Sequence, residues 1–379
     1  MFFIASVSAA LSLIALGINV SAAMGIGLLI FSIPSLGYRF IDVLVGSFNR
    51  EMLNTITSLF LSMMLAYLYR GTDASKKMVA SMESLGRRFA SASIPAVIGL
   101  LPMPAGAYIS AGLVDPVYED LGINKEQRTF INYWFRHIWS PIWPLYQSII
   151  LASALLGLSF TSIVSRTWPI SLSSVIAGTI LAFKILPKSE KNERRSASGL
   201  VHLWPFALIA LLSIAFSIPL PITLIAAIAL FSIIYRVSFS DIKKALRYSL
   251  DLTLISLMMI SFIYGNAIDA SGLPSSLTNV LSRFSLLVVF LLPFLMVFST
   301  GFEFTFVALA FPAIEPLLGG RGLSIAFLGG YLGSMLSPSH ACLIMSAKFY
   351  RSSLGKSYRY VIKAVAITAA LAFTMIALI

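Results

Sequence analysis

The chain has 379 residues, of which 58% are hydrophobic and only 11% are charged, and its mean hydropathy is +0.91. This composition excludes an ordinary soluble domain. The single cysteine, Cys342, excludes an intramolecular disulfide framework, and the sparse Cys and His content predicts no metal site beyond one for sodium.

Apolar stretches long enough to cross a bilayer recur along the whole chain. They predict about ten transmembrane helices, five in each half of an all-α polytopic membrane protein, at residues 2–18, 21–36, 52–69, 129–158, 163–185, 201–217, 221–235, 250–267, 322–347 and 360–378.

The two halves of the sequence resemble each other. Asp73-Ala74-Ser75 returns as Asp269-Ala270-Ser271 at an offset of 269 − 73 = 196, and Ser140-Pro141 returns as Ser337-Pro338 at 197. Matches in the same order continue between these points. Internal repetition in a membrane protein is typical of transporters. We therefore expect a first repeat at 1–186, a cytoplasmic linker at 187–199 and a second repeat at 200–379.

The positions of the basic residues predict the orientation of the chain in the cell membrane. With the linker placed in the cytoplasm, 21 of the 27 Lys and Arg residues fall inside, five fall outside, and Arg136 lies at membrane depth. This bias follows the positive-inside rule and predicts that both termini lie outside. Because each half has an odd number of spans, the second repeat is predicted to be inverted. The net charge of +12 then indicates membrane orientation rather than binding to nucleic acid.

Each repeat carries two interruptions of its apolar pattern. Pro102-Met103-Pro104-Ala105-Gly106 divides the stretch 90–113, and Ser299-Thr300-Gly301-Phe302-Glu303 divides 286–311, so each stretch is predicted to form a re-entrant hairpin. The spans that follow are predicted to break at Ser140-Pro141 and at Ser337-Pro338. A helix that restarts after either proline would point a positive dipole at the midplane, and the ends of half-helices would offer carbonyl groups to sodium.

The candidate site residues lie at these interruptions. Ionisable groups at membrane depth are costly and are therefore functional candidates. Glu303, with Ser140 and Ser337, is predicted to couple transport to Na⁺ or H⁺; the alternative for Glu303 is a structural ion pair. Arg136 would either neutralise an anion or extend towards the interface, and His340 would bind the substrate or only pack. The predicted substrate-binding residues are Pro104, Gly106, Arg136, Ser140, Thr300, Gly301, Ser337, Ser339 and His340.

Two short segments carry a family resemblance. The segments 101–106 (Leu-Pro-Met-Pro-Ala-Gly) and 337–343 (Ser-Pro-Ser-His-Ala-Cys-Leu) resemble an uncharacterised prokaryotic integral-membrane family. That family is allied to the ion-transporter superfamily of divalent-anion/sodium symporters, citrate and gluconate permeases and sodium/proton antiporters. The even split between smooth and interrupted spans predicts secondary active transport by an elevator-like movement, and the resemblance implies a homodimer. The superfamily's dicarboxylate symporters carry Ser-Asn-Thr at their hairpin tips; this chain does not, so dicarboxylate specificity is not implied.

Three functions remain open from the sequence. The first is a sodium- or proton-coupled symporter of a small organic anion, with the bilayer and that anion as its partners. The second is a sodium/proton antiporter, and the third is a structural or signalling membrane protein without transport. The sequence contains neither a Walker A motif nor the dyads of intramembrane hydrolases, so we expect no enzyme, no ATP-driven transport and no organic cofactor.

Overall fold

The computed structural model describes residues 2–103, 105–187, 197–274 and 285–379, and these ranges are helical with no β-strand. Within them, five helices have the length and the apolar composition needed to cross a membrane: Arg50–Gly71, Phe160–Ile185, Ser198–Ala215, Leu252–Ala270 and Leu354–Leu378. The predicted fold class is thereby confirmed as an all-α membrane protein.

The described part of the first half contains both long apolar helices and short polar ones. In chain order they are α1 (Phe2–Ala15), α2 (Val20–Leu36), α3 (Arg39–Gly46), α4 (Arg50–Gly71), α5 (Asp73–Ser84), α6 (Arg87–Gly99), α7 (Gly106–Asp120), α8 (Lys125–His137), α9 (Gln147–Leu156) and α10 (Phe160–Ile185). Of the predicted linker 187–199, the nine residues 188–196 lie outside the described residues, and 197–199 belong to a 3₁₀ segment.

The second half begins with a 3₁₀ segment, Ala197–Leu203. It continues into α11 (Trp204–Ile209) and a π-helical turn (Ala210–Ala215). The remaining helices are α12 (Leu220–Ile234), α13 (Phe239–Ser249), α14 (Leu252–Ala270), α15 (Ser285–Thr300), a π-helical turn (Phe306–Ala310), α16 (Phe311–Ile314), a 3₁₀ turn (Glu315–Leu317), α17 (Gly322–Leu336), α18 (Ala341–Tyr350) and α19 (Leu354–Leu378).

The helices form two compact units, and each unit takes segments from both halves of the chain. Unit 1 contains Met1–Phe60, Gln147–Thr167 and Leu250–Ser339, and unit 2 contains Leu61–Tyr146, Trp168–Ser249 and His340–Ile379. A compact unit is therefore not the same as a predicted repeat, and the repeat boundaries stay a prediction.

Unit 1 is held together by close backbone approach and by hydroxyl pairs. Gly329 and Gly333 of α17 face α15 so closely that a Cβ at either position would lie 2.2 Å from the Phe290 carbonyl oxygen or 2.4 Å from that of Phe294. Glycines four residues apart let apolar helices meet at the backbone. The Ser6 and Tyr264 hydroxyls also form a hydrogen bond, which joins α1 to α14.

Unit 2 is also held together by close backbone approach, here combined with hydrogen bonds from N–H donors. A Cβ at Gly199 would lie 2.2 Å from the Lys77 carbonyl oxygen, so the 3₁₀ segment lies directly on α5, and the Gly199 N–H donates to Ser81 Oγ at 2.8 Å. The Trp134 indole of α8 donates to the Ser174 carbonyl of α10 at 3.0 Å. These bonds give the Gly199 N–H and the buried Trp134 indole partners within the protein, as an apolar surrounding requires.

Candidate functional site

The helices are interrupted where the sequence predicts. In helix pair 1, α6 ends at Gly99 and α7 begins at Gly106; in helix pair 2, α15 ends at Thr300 and the helical segment to Leu317 follows. Break 1 is the segment 138–146 between α8 and α9, and break 2 is 337–340 between α17 and α18. Pro104, one of the predicted substrate-binding residues, lies outside the described residues.

One detail of the predicted breaks is wrong. The sequence predicts that a helix restarts just after each proline, yet α9 begins only at Gln147 and the N-cap of α18 is His340, without a side-chain capping bond. Ser337 ends α17, and its hydroxyl donates to the Phe298 carbonyl oxygen at 2.7 Å. Ser140 is buried inside break 1, where its N–H donates to the His137 carbonyl. The Ser337 hydroxyl thus binds the end of α15 rather than starting a new helix.

An acidic site lies in unit 1, at the tip of helix pair 2. Its residues are Thr300, Gly301, Glu303, Ser334, Ser337 and Ser339. The Ser334 hydroxyl donates to Glu303 Oε1 at 3.1 Å, and Glu303 is half-buried. Gly301 has φ +74°, a conformation that glycine adopts without strain, and this turns the chain directly after α15.

Further hydroxyl groups lie at the same tip and bond to one another. The Thr300 and Thr305 hydroxyl oxygens lie 2.8 Å apart, and Thr305 also donates to the Phe302 carbonyl at 2.6 Å. The exposed Ser339 donates its N–H to Ser337 Oγ at 3.3 Å. The structure therefore brings Thr300, Gly301, Glu303, Ser337 and Ser339 to one end of unit 1. One carboxylate among hydroxyl and carbonyl oxygens is a donor set that suits a hard cation or a proton.

A basic site lies in unit 2, beside the tip of helix pair 1. Its residues are Gly106, Arg136, His137, His340 and Cys342. The Arg136 side chain is only 6% exposed, and its Nη1 donates to the Ile98 carbonyl at 3.3 Å. A Cβ at Gly106 would lie 2.1 Å from Nη2, so glycine makes the room that this guanidinium occupies. The cation thus lies between the carbonyl end of α6 and the first residue of α7.

The end of α6 is closed by side chains of break 1. The Trp139 indole donates to the Ala96 carbonyl at 3.0 Å, and the Trp143 indole donates to the Leu100 carbonyl at 2.8 Å. The Tyr146 hydroxyl lies 3.0 Å from the Gly99 carbonyl oxygen. The last carbonyl groups of a helix have no partner within that helix, and leaving them bare in an apolar surrounding is costly.

The sequence alone does not predict this role of the tryptophans, because their hydrophobicity indicates only packing. The signal that could have revealed it is the concentration of N–H-bearing aromatic residues around a proline break.

Two further groups join α8 to α7 and α18 in unit 2. Asn132 Nδ2 donates to the Ala107 carbonyl at 3.2 Å and to Ser346 Oγ at 2.8 Å, while Oδ1 accepts from Ser110 at 2.7 Å. The Tyr133 hydroxyl lies 3.0 Å from His340 Nδ1. Asn132 was not a candidate from the sequence, because its partners are distant along the chain.

The two sites carry opposite charges, and each charged residue corresponds to a glycine in the other half of the sequence. Arg136 stands four residues before Ser140 (140 − 136 = 4), while Gly333 stands four before Ser337 (337 − 333 = 4). Conversely, the tip of helix pair 2 carries Glu303, whereas that of pair 1 ends in Gly106. At the first pair of corresponding positions the first half has Arg136 where the second has Gly333, and at the other pair the first half has Gly106 where the second has Glu303.

Comparison with protein families adds one finding. A family model described as "Protein of unknown function (DUF401)" matches residues 1–379, so the chain belongs to that family. No curated protein matches the chain in a sequence comparison.

Proposed function

We propose that this member of the family is a secondary active transporter that moves a small organic anion, a carboxylate, together with Na⁺ or H⁺. One observation carries the proposal: the buried cation Arg136 lies beside one pair of interrupted helices, and the carboxylate Glu303 lies at the tip of the other pair. Coupled transport of an anion with a cation needs a group for each partner. Irregular backbone among apolar helices is where transporters bind their substrates.

In this proposal Arg136 binds the carboxylate of the substrate, and Gly106 leaves space beside the guanidinium. Glu303, Thr300 and Ser337 contribute to the site for the coupling ion. Gly301, Ser339, Ser140 and His340 remain predicted substrate-binding residues, and Ser140 also remains a predicted ion-coupling residue. The guanidinium donates one N–H to the Ile98 carbonyl of α6, and in this proposal other N–H groups bind the anion.

The membrane arrangement is part of the same proposal. It has ten spans in two inverted five-span repeats, with helix pairs 1 and 2 re-entering from opposite sides and both termini outside. The interruptions at matched positions in both halves support it. An elevator movement rests on the even split between smooth and interrupted spans, and a homodimer rests on the superfamily resemblance. Helix pair 1 belongs to unit 2 and helix pair 2 to unit 1. An elevator that moves both pairs together would therefore have to move each pair relative to the rest of its own unit.

Uptake into proteoliposomes tests the proposal. Labelled mono- and dicarboxylates are offered with and without an inward Na⁺ or H⁺ gradient, and we expect uptake that depends on one of the two gradients. Glu303→Gln should abolish this dependence. Glu51→Gln is the matched control, because the Glu51 side chain is exposed at the start of α4, and it should transport like the wild type.

Arg136→Lys keeps the positive charge but loses the planar, bidentate donor arrangement. We expect it to raise the KM for the anion more than it lowers kcat. Gradient-independent uptake by the wild type, or normal coupling in Glu303→Gln, would contradict the proposal. Release of a pH gradient by Na⁺ alone would instead establish the antiporter, and absence of any flux would favour the non-transport alternative.

A further inference from the structure

The proposed transport function gives no role to His137 and Cys342 of the basic site. The sequence contains one cysteine and three histidines. The fold brings the cysteine and two of the histidines together, because donor atoms of His137, His340 and Cys342 all lie within 4.8 Å of one another. All three belong to unit 2, and both imidazoles are buried. From this geometry we infer that His137, His340 and Cys342 bind a transition-metal ion of the zinc class.

A single neighbour, Tyr133, orients both imidazole rings. The Tyr133 carbonyl oxygen lies 2.7 Å from His137 Nδ1, and since a carbonyl only accepts, the ring must carry its proton on Nδ1. His137 Nε2 is then the nitrogen that carries the lone pair. The Tyr133 hydroxyl lies 3.0 Å from His340 Nδ1, so the other ring is held by the same residue. A metal-binding histidine is commonly held in this way through its other nitrogen.

The three side chains also stand on fixed backbone. His137 is the last residue of α8, His340 is the N-cap of α18, and Cys342 is the second residue of α18. The Asn132–Ser346 hydrogen bond ties these two helices together at 2.8 Å. Donors positioned by helices that are bonded to each other lose little conformational freedom when a metal binds.

Two imidazoles and one thiolate match the ligand preferences of Zn²⁺, which commonly takes three protein ligands and leaves a fourth position for water or another donor. The Arg136 guanidinium lies close to Cys342. Its positive charge opposes a cation, whereas the negative charge of a thiolate offsets that repulsion. The open fourth position would then take water or a small anion. This inference stands on the three donors and does not depend on the protein being a transporter.

Cobalt substitution tests the site in the full-length protein, purified in detergent with a tag that contains no histidine. Metal-stripped wild type titrated with Co²⁺ should develop a thiolate-to-cobalt charge-transfer band in the near ultraviolet, saturating at one ion per chain. Zn²⁺ should displace it. Cys342→Ser should lose the band, and His137→Gln and His340→Gln should each weaken Co²⁺ binding by at least about tenfold.

The chain offers a matched control in its third histidine, His202, whose Nδ1 bonds the Tyr235 hydroxyl at 2.5 Å. His202→Gln should bind Co²⁺ like the wild type. Absence of the charge-transfer band from the wild type at saturating Co²⁺ would overturn the inference. So would a band that survives in Cys342→Ser, or equal weakening by all three histidine variants. A second measurement needs no variant: Zn²⁺ should slow alkylation of Cys342 in the native wild type, and an unchanged rate would count against the site.

Discussion

Gly329 and Gly333 of α17 give the sharpest test of how the helices pack. A Cβ added at Gly329 would lie 2.2 Å from the Phe290 carbonyl oxygen, and one added at Gly333 would lie 2.4 Å from that of Phe294. A carbon normally stays about 3.3 Å or more from a carbonyl oxygen. Both obstructing atoms are backbone and cannot rotate away, so α15 and α17 would have to separate by roughly 1 Å.

Such overpacking costs about 1–3 kcal/mol, and the better helix propensity of alanine returns up to about 1 kcal/mol. We therefore expect Gly329→Ala and Gly333→Ala each to lower the free energy of unfolding by roughly 1–2 kcal/mol. The double variant should lose less than the sum, because a single separation of the two helices relieves both clashes.

Gly112 of α7 is the control, since a Cβ there would meet nothing nearer than the Phe349 ring at 4.0 Å. Gly112→Ala should be neutral or stabilising. The melting temperature of each purified variant, followed by size-exclusion chromatography in detergent, is the readout. If Gly333→Ala or Gly329→Ala melts at or above the temperature of Gly112→Ala, the close approach of the two backbones is refuted.

Three shorter predictions concern the remaining elements. Cysteines placed at Lys125 and Arg321, which are exposed and stand at the starts of α8 and α17, should react with an impermeant reagent from opposite sides of the cell membrane; labelling from one side would refute the inverted repeats. Asn132→Leu removes a side chain that bonds two hydroxyls and a carbonyl, and should cost roughly 1–3 kcal/mol in thermal unfolding; an unchanged melting temperature would show that the network is dispensable. Trp143→Phe should destabilise the protein by a similar amount, because it leaves the Leu100 carbonyl at the end of α6 without its indole donor. Trp168→Phe, at a partly exposed position, should not destabilise it, and equal effects of the two substitutions would contradict the role of the carbonyl.

Local features of the sequence predict the interruptions well and their contacts poorly. Proline and glycine disturb a helix wherever they occur, so the turns after Gly99 and Thr300 and the breaks at Ser140 and Ser337 follow from the chain itself. The length of break 1 does not follow in this way. It extends to Tyr146 because its aromatic donors reach the end of α6.

Long-range assembly is the part that the sequence hides. His137 and His340 are separated by 340 − 137 = 203 residues, yet their ring centroids lie 4.8 Å apart. Neither residue shows a metal-ligand spacing with Cys342 that a motif search would recognise. The same holds for the compact units, which take segments from both halves of the chain. A repeat in the sequence defines related elements, and packing decides which of them share a core.

The two breaks satisfy the same physical requirement with different side chains, and this difference fits the proposed division of labour. A helix end among apolar helices must have its carbonyls bound. In unit 2 the donors are the two indoles and the phenol of break 1, and the Tyr146 hydroxyl also lies 3.0 Å from the Arg136 carbonyl oxygen. In unit 1 the hydroxyl of Ser337 binds the Phe298 carbonyl, and the Ser334 hydroxyl donates to Glu303. In the proposed function, the large apolar rings of break 1 fit a weakly hydrated organic anion, whereas compact oxygen donors beside the Glu303 carboxylate fit a small cation. The residues that close the helix ends would then also separate the chemistry of the two transported species.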